Sequence, residues 1–452
     1  MNARGQVVMT QIQRSQWKNR LGFILAAAGS AVGLGNIWRF PYMVGENGGS
    51  IFIIVYLLCV LLLGLPIMIA EITLGKITQR NPVGAFKVLA GERSPWQMVG
   101  FSGVLAAFVI LSYYSVVAGW CLDFIWKSLT GVFQPGHTMA EVTSIFQQLT
   151  ANPRAQTFFH GLFMVMVVVI VLAGVQRGLQ RWNEILMPAL IFILLVLIAF
   201  SMRQSGANQG LQFILRPDPS KLTGHSLLAA MGQCFFSLSI GMGAMLTYGS
   251  YLRKQQRVPP ATGWVVGMDT GIALLAGFVV FPVVFTFGQQ PQQGPGLVFV
   301  TLPAAFLQMQ GGTAIALAFF ILLLFAALTS AISMLEVVTA YFTDEFNMTR
   351  RLAALMSGTV CFLMGTGCAY SGAYLDFLDT LASNYLLPLG ALFISLFVGY
   401  KVNKELTRGE FRGTWYAGLF GVWHLCIRVI APALVIVVFL NSIGILDKLL
   451  SK

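Results

Sequence analysis

"AGSAVGLGNIWRFPY", residues 28–42, lies inside an apolar run that begins at Leu21, yet it holds Gly29, Gly33, Gly35, Asn36 and Arg39. A helix crossing lipid satisfies its backbone internally, and irregular backbone at that depth is tolerated only against a cavity or ions. Glycines loosen the helix, while Asn36 and Arg39 are costly in hydrocarbon unless they face something polar. Gly29 and Gly33 also form a GxxxG, which alone reads as a close helix–helix contact. That reading leaves Asn36 and Arg39 unexplained. The stretch reads as a span opened in its middle, with the opening as the site.

The rest of the chain agrees that the solvent is lipid. Its 452 residues are 57% hydrophobic and only 10% charged, against about 25% charged in soluble domains. Apolar stretches long enough to span lie near 21–43, 51–75, 96–127, 157–175, 184–202, 226–252, 263–288, 313–343, 352–369, 376–400 and 414–445. Runs such as "IVYLLCVLLLGLPIMIA" lack the alternation of a barrel strand. The expected fold is an all-α integral membrane protein with eleven transmembrane helices.

A net charge of +12 would suit nucleic acid, but its placement follows the membrane. With the N-terminus inside, the inner segments hold Arg4, Arg14, Lys18, Arg20, Lys76, Arg80, Lys87, Arg93, Arg177, Arg181, Arg253, Lys254, Arg257, Arg350, Arg351, Lys401, Lys404, Arg408 and Arg412. That is 19 of 28 basic residues. The positive-inside rule then expects a cytoplasmic N-terminus and, after eleven spans, an outer C-terminus. No cleavable signal is expected, because the basic first 20 residues run into a full-length span. Cys59, Cys121, Cys234, Cys361, Cys368 and Cys426 lie in apolar stretches and the four histidines are scattered, so neither a disulfide framework nor a zinc site is expected. No nucleophile–base pair or phosphate loop points to an enzyme, and no organic cofactor or nucleic-acid partner is implied.

"FFSLSIGMGAMLTYGSY", 235–251, repeats the oddity of the first span, with Ser237, Ser239, Gly241 and Gly243 at mid-membrane. Interrupted segments at matching places in two halves point to a transporter built on inverted repeats. The expected organisation is one transmembrane domain over 1–452: a cytoplasmic segment 1–20, a first repeat 21–202 (spans 1–5), a second 226–400 (spans 6–10) and an extra span 414–445. Between spans, "QQPQQGPGLVFVTLPAAFLQMQGG", 289–312, contains an apolar segment too short to cross. It reads equally as a lid over a cavity or as an ordinary interfacial loop.

"GSAVGLGNIWRFPY" followed by "GENGG" closely resembles the first-span signature of the neurotransmitter:sodium symporter family. "GQCFFSLSIGMGAMLTYGSY", "ALTSAISMLE" and "LDFLDTLASNYLLP" resemble its sixth, eighth and tenth spans. The resemblance runs from about Arg14 to residue 440 and implies a LeuT-type fold, sodium-coupled uptake and alternating access. It looks closest to eleven-span bacterial transporters of hydrophobic amino acids. Carried over residue by residue, it implies two sodium ions. One would meet the Ala31 carbonyl, Asn36, Ser237, Asp269 and the substrate carboxylate; the other would meet the carbonyls of Gly29, Val32 and Ala326 and the hydroxyls of Thr329 and Ser330. Oxygen ligands suit a hard cation, although lone Ser and Thr in spans also simply bond between helices.

Asp269, in "GWVVGMDTGIALLAGF", departs from the Asn of many relatives, and the neighbouring position that is Glu in some bacterial relatives is Ala273. Its charge could replace the chloride of other members, near Tyr56, Gln233 and Ser237; it could also be a carboxyl facing water. The resemblance further implies a substrate carboxylate against the N–H groups of Leu34 and Gly35 and the Tyr114 hydroxyl. The ammonium would meet the carbonyls of Ala31, Phe236 and Ser237 and the Ser239 hydroxyl. The side-chain pocket would be Ile110, Tyr114, Phe236, Ser239, Met242, Ser330 and Met334. Arg39 with Asp376 would form an outer gate, and Arg14 with Asp344, beside Trp17 and Tyr251, an inner one. Such pairs are worth about 0–1 kcal/mol when exposed, which suits a latch. Glu71 and Glu336 lie in or near spans, Glu336 without an assigned role. The function implied is sodium-driven import of neutral, mainly hydrophobic amino acids across the inner (plasma) membrane, independent of chloride. Proton coupling through Asp269 and an amino-acid receptor without transport are the alternatives.

Overall fold

The computed structural model describes residues 14–289, 296–413 and 415–442. Arg4, residues 290–295 of the Pro/Gly/Gln stretch and residues 443–445 of the expected last span lie outside the described residues. Within these there are helices and connections and no strand.

Nine helices among the described residues are long and apolar enough to cross a membrane, and a bent pair brings the number to ten. The bent pair is α1 (Arg20–Ala31) and α2 (Gly35–Glu46), at 52° to each other. The unbroken ones are α3 (Ser50–Thr78), α4 (Gln97–Leu129), α5 (Pro153–Leu172), α6 (Val175–Ser201), α9 (Val258–Thr286), α11 (Gly312–Phe346), α12 (Arg350–Tyr370), α13 (Gly372–Lys401) and α14 (Tyr416–Asn441). The expected sixth span is divided into α7 (Gly224–Ser237) and α8 (Ala244–Gly249), each too short to cross alone. A short apolar helix, α10 (Leu297–Leu307), completes the set.

Both interruptions fall where the glycines do. α1 starts on Asn19, whose side chain accepts from the Gly22 N–H at 2.7 Å, and stops at Val32, whose backbone is extended. Between α7 and α8, Ser239, Gly241 and Gly243 have φ of 52°, 88° and 73°. Two of these left-handed positions have the residue that adopts them freely; Ser239 is a strained exception of the kind found at functional sites. Gly241 is also required by contact, because a Cβ there would lie 2.3 Å from the Leu387 carbonyl oxygen of α13. Its freed N–H donates to Glu71 Oε1 of α3 at 2.7 Å, which gives that fully buried carboxyl a place in the break.

α4 and α11 are the inner helices, 78% buried along their apolar windows, whereas α6 is 33% and α5 39% buried. The outward faces carry exposed Phe192, Trp264, Leu195 and Leu363, as lipid-facing helices must. All six cysteines are buried and free. At the face with the basic loops, the buried Lys76 ammonium meets both Glu410 oxygens at 2.7 and 2.8 Å and the Gln256 carbonyl at 2.5 Å. α10 lies at the opposite face and is folded inward: Phe299 stacks on Phe146 at 5.5 Å and meets Trp38 of α2 and Trp120 of α4 edge-on. A buried aromatic contact of this kind is not that of a loose interfacial loop.

Candidate functional site

The two interruptions face each other across a small cavity. Its walls are Ala31, Gly33 and Gly35 from the α1–α2 break, Ile110 and Tyr114 from α4, Phe236, Ser239 and Met242 from the α7–α8 break, Ser330 and Met334 from α11, and Leu387 from α13. Every side chain expected in the amino-acid pocket is there; Gly33 and Leu387 are additions. The free volume is about 20 Å³, room for little more than one water, so a large side chain enters only as the walls part. One end is polar: the Leu34 N–H donates to the Tyr114 hydroxyl oxygen at 3.1 Å. Ser239 Oγ donates to the Ser30 carbonyl at 3.0 Å, and the Phe236 carbonyl accepts from the Ser239 N–H at 3.3 Å. Gly35 is held against the Phe236 ring, where a Cβ would lie 2.8 Å from it.

Beside this cavity Asn36, Ser237 and Asp269 form one cluster. Asn36 Nδ2 donates to Asp269 Oδ1 at 2.7 Å and to the Asp269 carbonyl at 3.0 Å, and Ser237 Oγ donates to Asp269 Oδ2 at 2.9 Å. The Asp269 side chain belongs to a residue with no exposure, so the water-facing carboxyl reading is overturned. Among the described residues no Lys or Arg forms an ion pair with it. A buried carboxylate without a cationic side chain fits a bound cation. Tyr56 and Gln233 are fully buried nearby, and Gln233 Nε2 donates to the Gly35 carbonyl at 3.0 Å.

A second oxygen cluster lies where α1 ends against α11. Thr329 Oγ1 is 3.3 Å from the Val32 carbonyl and 2.9 Å from that of Ala326, and Ser330 Oγ is 3.1 Å from the Val32 carbonyl. Gly29 faces the same place, since a Cβ on it would lie 3.3 Å from Thr329 Cβ. The residues expected around the second ion are therefore brought together.

At the basic face the inner pair is formed: Arg14 bonds Asp344, donates from Nε to Ser250 Oγ at 3.0 Å and lies over the Tyr251 ring at 4.8 Å. Burial lowers the Arg14 pKa, but the neighbouring Tyr251 and Asp344 outweigh it and the net shift is upward. Trp17 is fully buried, with its indole N–H donating to the Tyr248 carbonyl at 2.9 Å and its backbone N–H to that of Tyr251 at 3.1 Å. The sequence reading left Glu336 without a role, and it holds this face together. It accepts from the Tyr251 hydroxyl at 2.6 Å and from both ends of the Arg350 guanidinium at 2.9 and 2.5 Å.

The outer pair needs a correction. Asp376 is exposed, and among the described residues Arg39 forms no ion pair; its guanidinium lies over the Phe236 ring at 4.6 Å. Asp379, one turn further along α13, is the inward carboxylate. It accepts from the Tyr113 hydroxyl at 2.9 Å and from Ser383 Oγ at 3.1 Å, and Tyr113 stands within electrostatic range of both Arg39 and Asp379. "LDFLD" offers two aspartates, and only the rotational setting of α13 decides between them.

The chain is similar to known proteins over nearly its whole length. The sequence profile of the sodium:neurotransmitter symporter family matches residues 14–147 and 137–450. The sodium-dependent transporter YhdH of Bacillus subtilis is 40% identical, over 97% of this chain and all of that protein. A sodium-dependent transporter of Haemophilus influenzae is 34% identical, over 95% of this chain and 98% of its own length. Among solved structures, that of MhsT in complex with L-phenylalanine superimposes with a TM-score of 0.87 at 43% identity, covering 95% of this chain and all of MhsT. The chain belongs to the sodium:neurotransmitter symporter family of secondary transporters.

Proposed function

We propose that the protein imports neutral, mainly hydrophobic amino acids together with two sodium ions, by alternating access and without chloride. The observation that carries this is Asp269, buried without a basic partner against Asn36 and Ser237, at the side of a cavity walled by Ile110, Phe236, Met242, Met334 and Leu387. In this reading the carboxylate of Asp269 balances the first ion, and the substrate carboxylate joins the same ion. The apolar wall takes the side chain, and it would leave a charged one desolvated without a partner. The match to a structure solved with phenylalanine supports that substrate class.

The basic loops would face the cytoplasm, with eleven crossings of the inner membrane and two inverted sets of five. The Arg14, Asp344, Glu336 and Arg350 network would then close the inner path, and Arg39 with Asp379 the outer one. Uptake into proteoliposomes tests this: accumulation should follow an inward sodium gradient, fail with potassium, and be blocked by leucine, methionine, phenylalanine or tryptophan but not by lysine or glutamate. The buried Asp269 carboxyl also favours a second reading, coupling to protons. Equal uptake from sodium-free buffer under a pH gradient would establish that one instead.

A further inference from the structure

α1 and α6 meet along a seam in which glycines face amides. A Cβ on Gly22 would lie 2.3 Å from Gln180 Nε2, and a Cβ on Gly29 would lie 2.0 Å from Asn183 Oδ1. Gly22 and Gly29 are two turns apart on one helix, and Gln180 and Asn183 one turn apart on the other, so a single strip of each makes the contact. Gln180 is fully engaged: its Oε1 accepts from the Lys18 N–H at 2.9 Å and its Nε2 donates to Glu184 Oε1 at 2.7 Å.

Asn183 is not. The residue has no exposure, and its Nδ2 donates to the Leu179 carbonyl at 2.8 Å, which fixes the direction of the amide. Oδ1 is therefore aimed at Gly29, buried and without a donor. A buried acceptor left bare costs free energy that an apolar side chain at the same place would not. The point it faces is also where Gly29 approaches Thr329.

We infer that the Asn183 side-chain oxygen is a sodium ligand, taken up by the second ion as it passes between the Gly29–Thr329 region and the basic face. The inference rests on the proposed second sodium site. A neutral amide oxygen is a suitable ligand for a hard cation in transit: it replaces part of the ion's hydration shell without the charge that would retain it. Toward the basic face the same strip of α6 carries Gln180, one turn nearer the start of the helix and also buried.

Two variants test this in the full-length protein. Asn183→Leu removes the oxygen and keeps the branched shape and the number of heavy atoms. Net uptake requires sodium to leave on the inner side, whereas amino-acid counterflow at equal high sodium on both sides does not. Net uptake should fall at least fivefold more than counterflow, and an equal loss in both would overturn the assignment. Asn183→Asp adds a charge at the same oxygen, so the sodium concentration that half-saturates thermal stabilisation of the purified protein should drop at least fivefold. A value within twofold of the unsubstituted protein would also overturn it. The underlying site is checked separately with Thr329→Val and Ser330→Ala together; unchanged half-saturation there would remove the second sodium site itself.

Discussion

Asn36 donates its side-chain N–H to the Asp269 carboxylate at 2.7 Å, tying the α1–α2 break to α9 beside the cavity between the two breaks. The same carboxylate takes the Ser237 hydroxyl from the α7–α8 break, so one buried charge joins both interruptions. Asp269→Asn keeps the shape and an oxygen but removes the charge. In a low-dielectric site the ion would lose its compensation. Half-maximal uptake should need about tenfold more sodium or more, about 1.4 kcal/mol of binding. Replacing chloride by gluconate should leave the unsubstituted protein unaffected; a collapse of its uptake, or an Asp269→Asn variant with unaltered sodium dependence, would end this account.

The two aspartates of "LDFLD" should separate cleanly. Asp379 is bound to Tyr113 and Ser383, while Asp376 is exposed. Asp379→Asn should reduce uptake at least tenfold, with Asp376→Asn staying within about twofold, since an exposed charge is worth little. The opposite ranking would return the outer gate to Asp376.

Much of the site was legible because motif residues fall at fixed points relative to two breaks. Ile110 and Tyr114 on α4, Met242 after the second break and Met334 on α11 all line the cavity as expected. What escaped depends on rotation and long-range approach. Leu387 reads as one more apolar residue until the α7–α8 break is seen lying against its carbonyl. Asp379 was passed over because "LDFLD" puts two aspartates one turn apart at the end of the span, and position along the span does not say which one meets Tyr113. Asn183 sits beside Arg181 and Glu184, where a lone amide reads as solvated; only the packing of α1 on α6 shows it buried. The sixth span was legible as one interrupted stretch, 226–252, and the structure divides it into α7 and α8.

Glu336→Gln should loosen the basic face. It keeps a partner for the Tyr251 hydroxyl but leaves the Arg350 guanidinium without its carboxylate. Removing one member of a buried pair is far more costly than replacing both. A cysteine placed at Thr247, which is fully buried in α8, should then be labelled several-fold faster by a polar thiol reagent from the inner side. The six native cysteines are buried and give a low background. Unchanged labelling would mean that Arg14 and Asp344 close that face without Glu336.

Gly75 should resist any side chain. A Cβ there would stand 1.9 Å from the Leu246 carbonyl oxygen and 2.8 Å from the Ser250 nitrogen, and reciprocally a Cβ on Gly249 would be 2.5 Å from the Ile72 carbonyl oxygen. α3 and α8 thus touch backbone to backbone, and neither partner can swing aside. Gly75→Ala should cost about 1–3 kcal/mol or more through overpacking, seen as a clear drop in melting temperature in detergent. An unshifted melting curve would show that α8 can move away from α3 freely.

Met242 should set the breadth of the substrate range. It lines the cavity with Met334, and unbranched thioether chains re-pack around ligands of different shape. Phenylalanine in its place brings a rigid ring into a space of about 20 Å³ that already has to open for a large side chain. In Met242→Phe, competition by tryptophan and phenylalanine should weaken at least tenfold, while smaller apolar amino acids such as valine should change by no more than about threefold, roughly 0.7 kcal/mol. Sodium dependence measured with valine should be unaltered, because Met242 is not among the oxygen-bearing residues of either cluster. A variant that loses all substrates alike would place Met242 in the closing movement of α8 and not in the wall that reads the side chain.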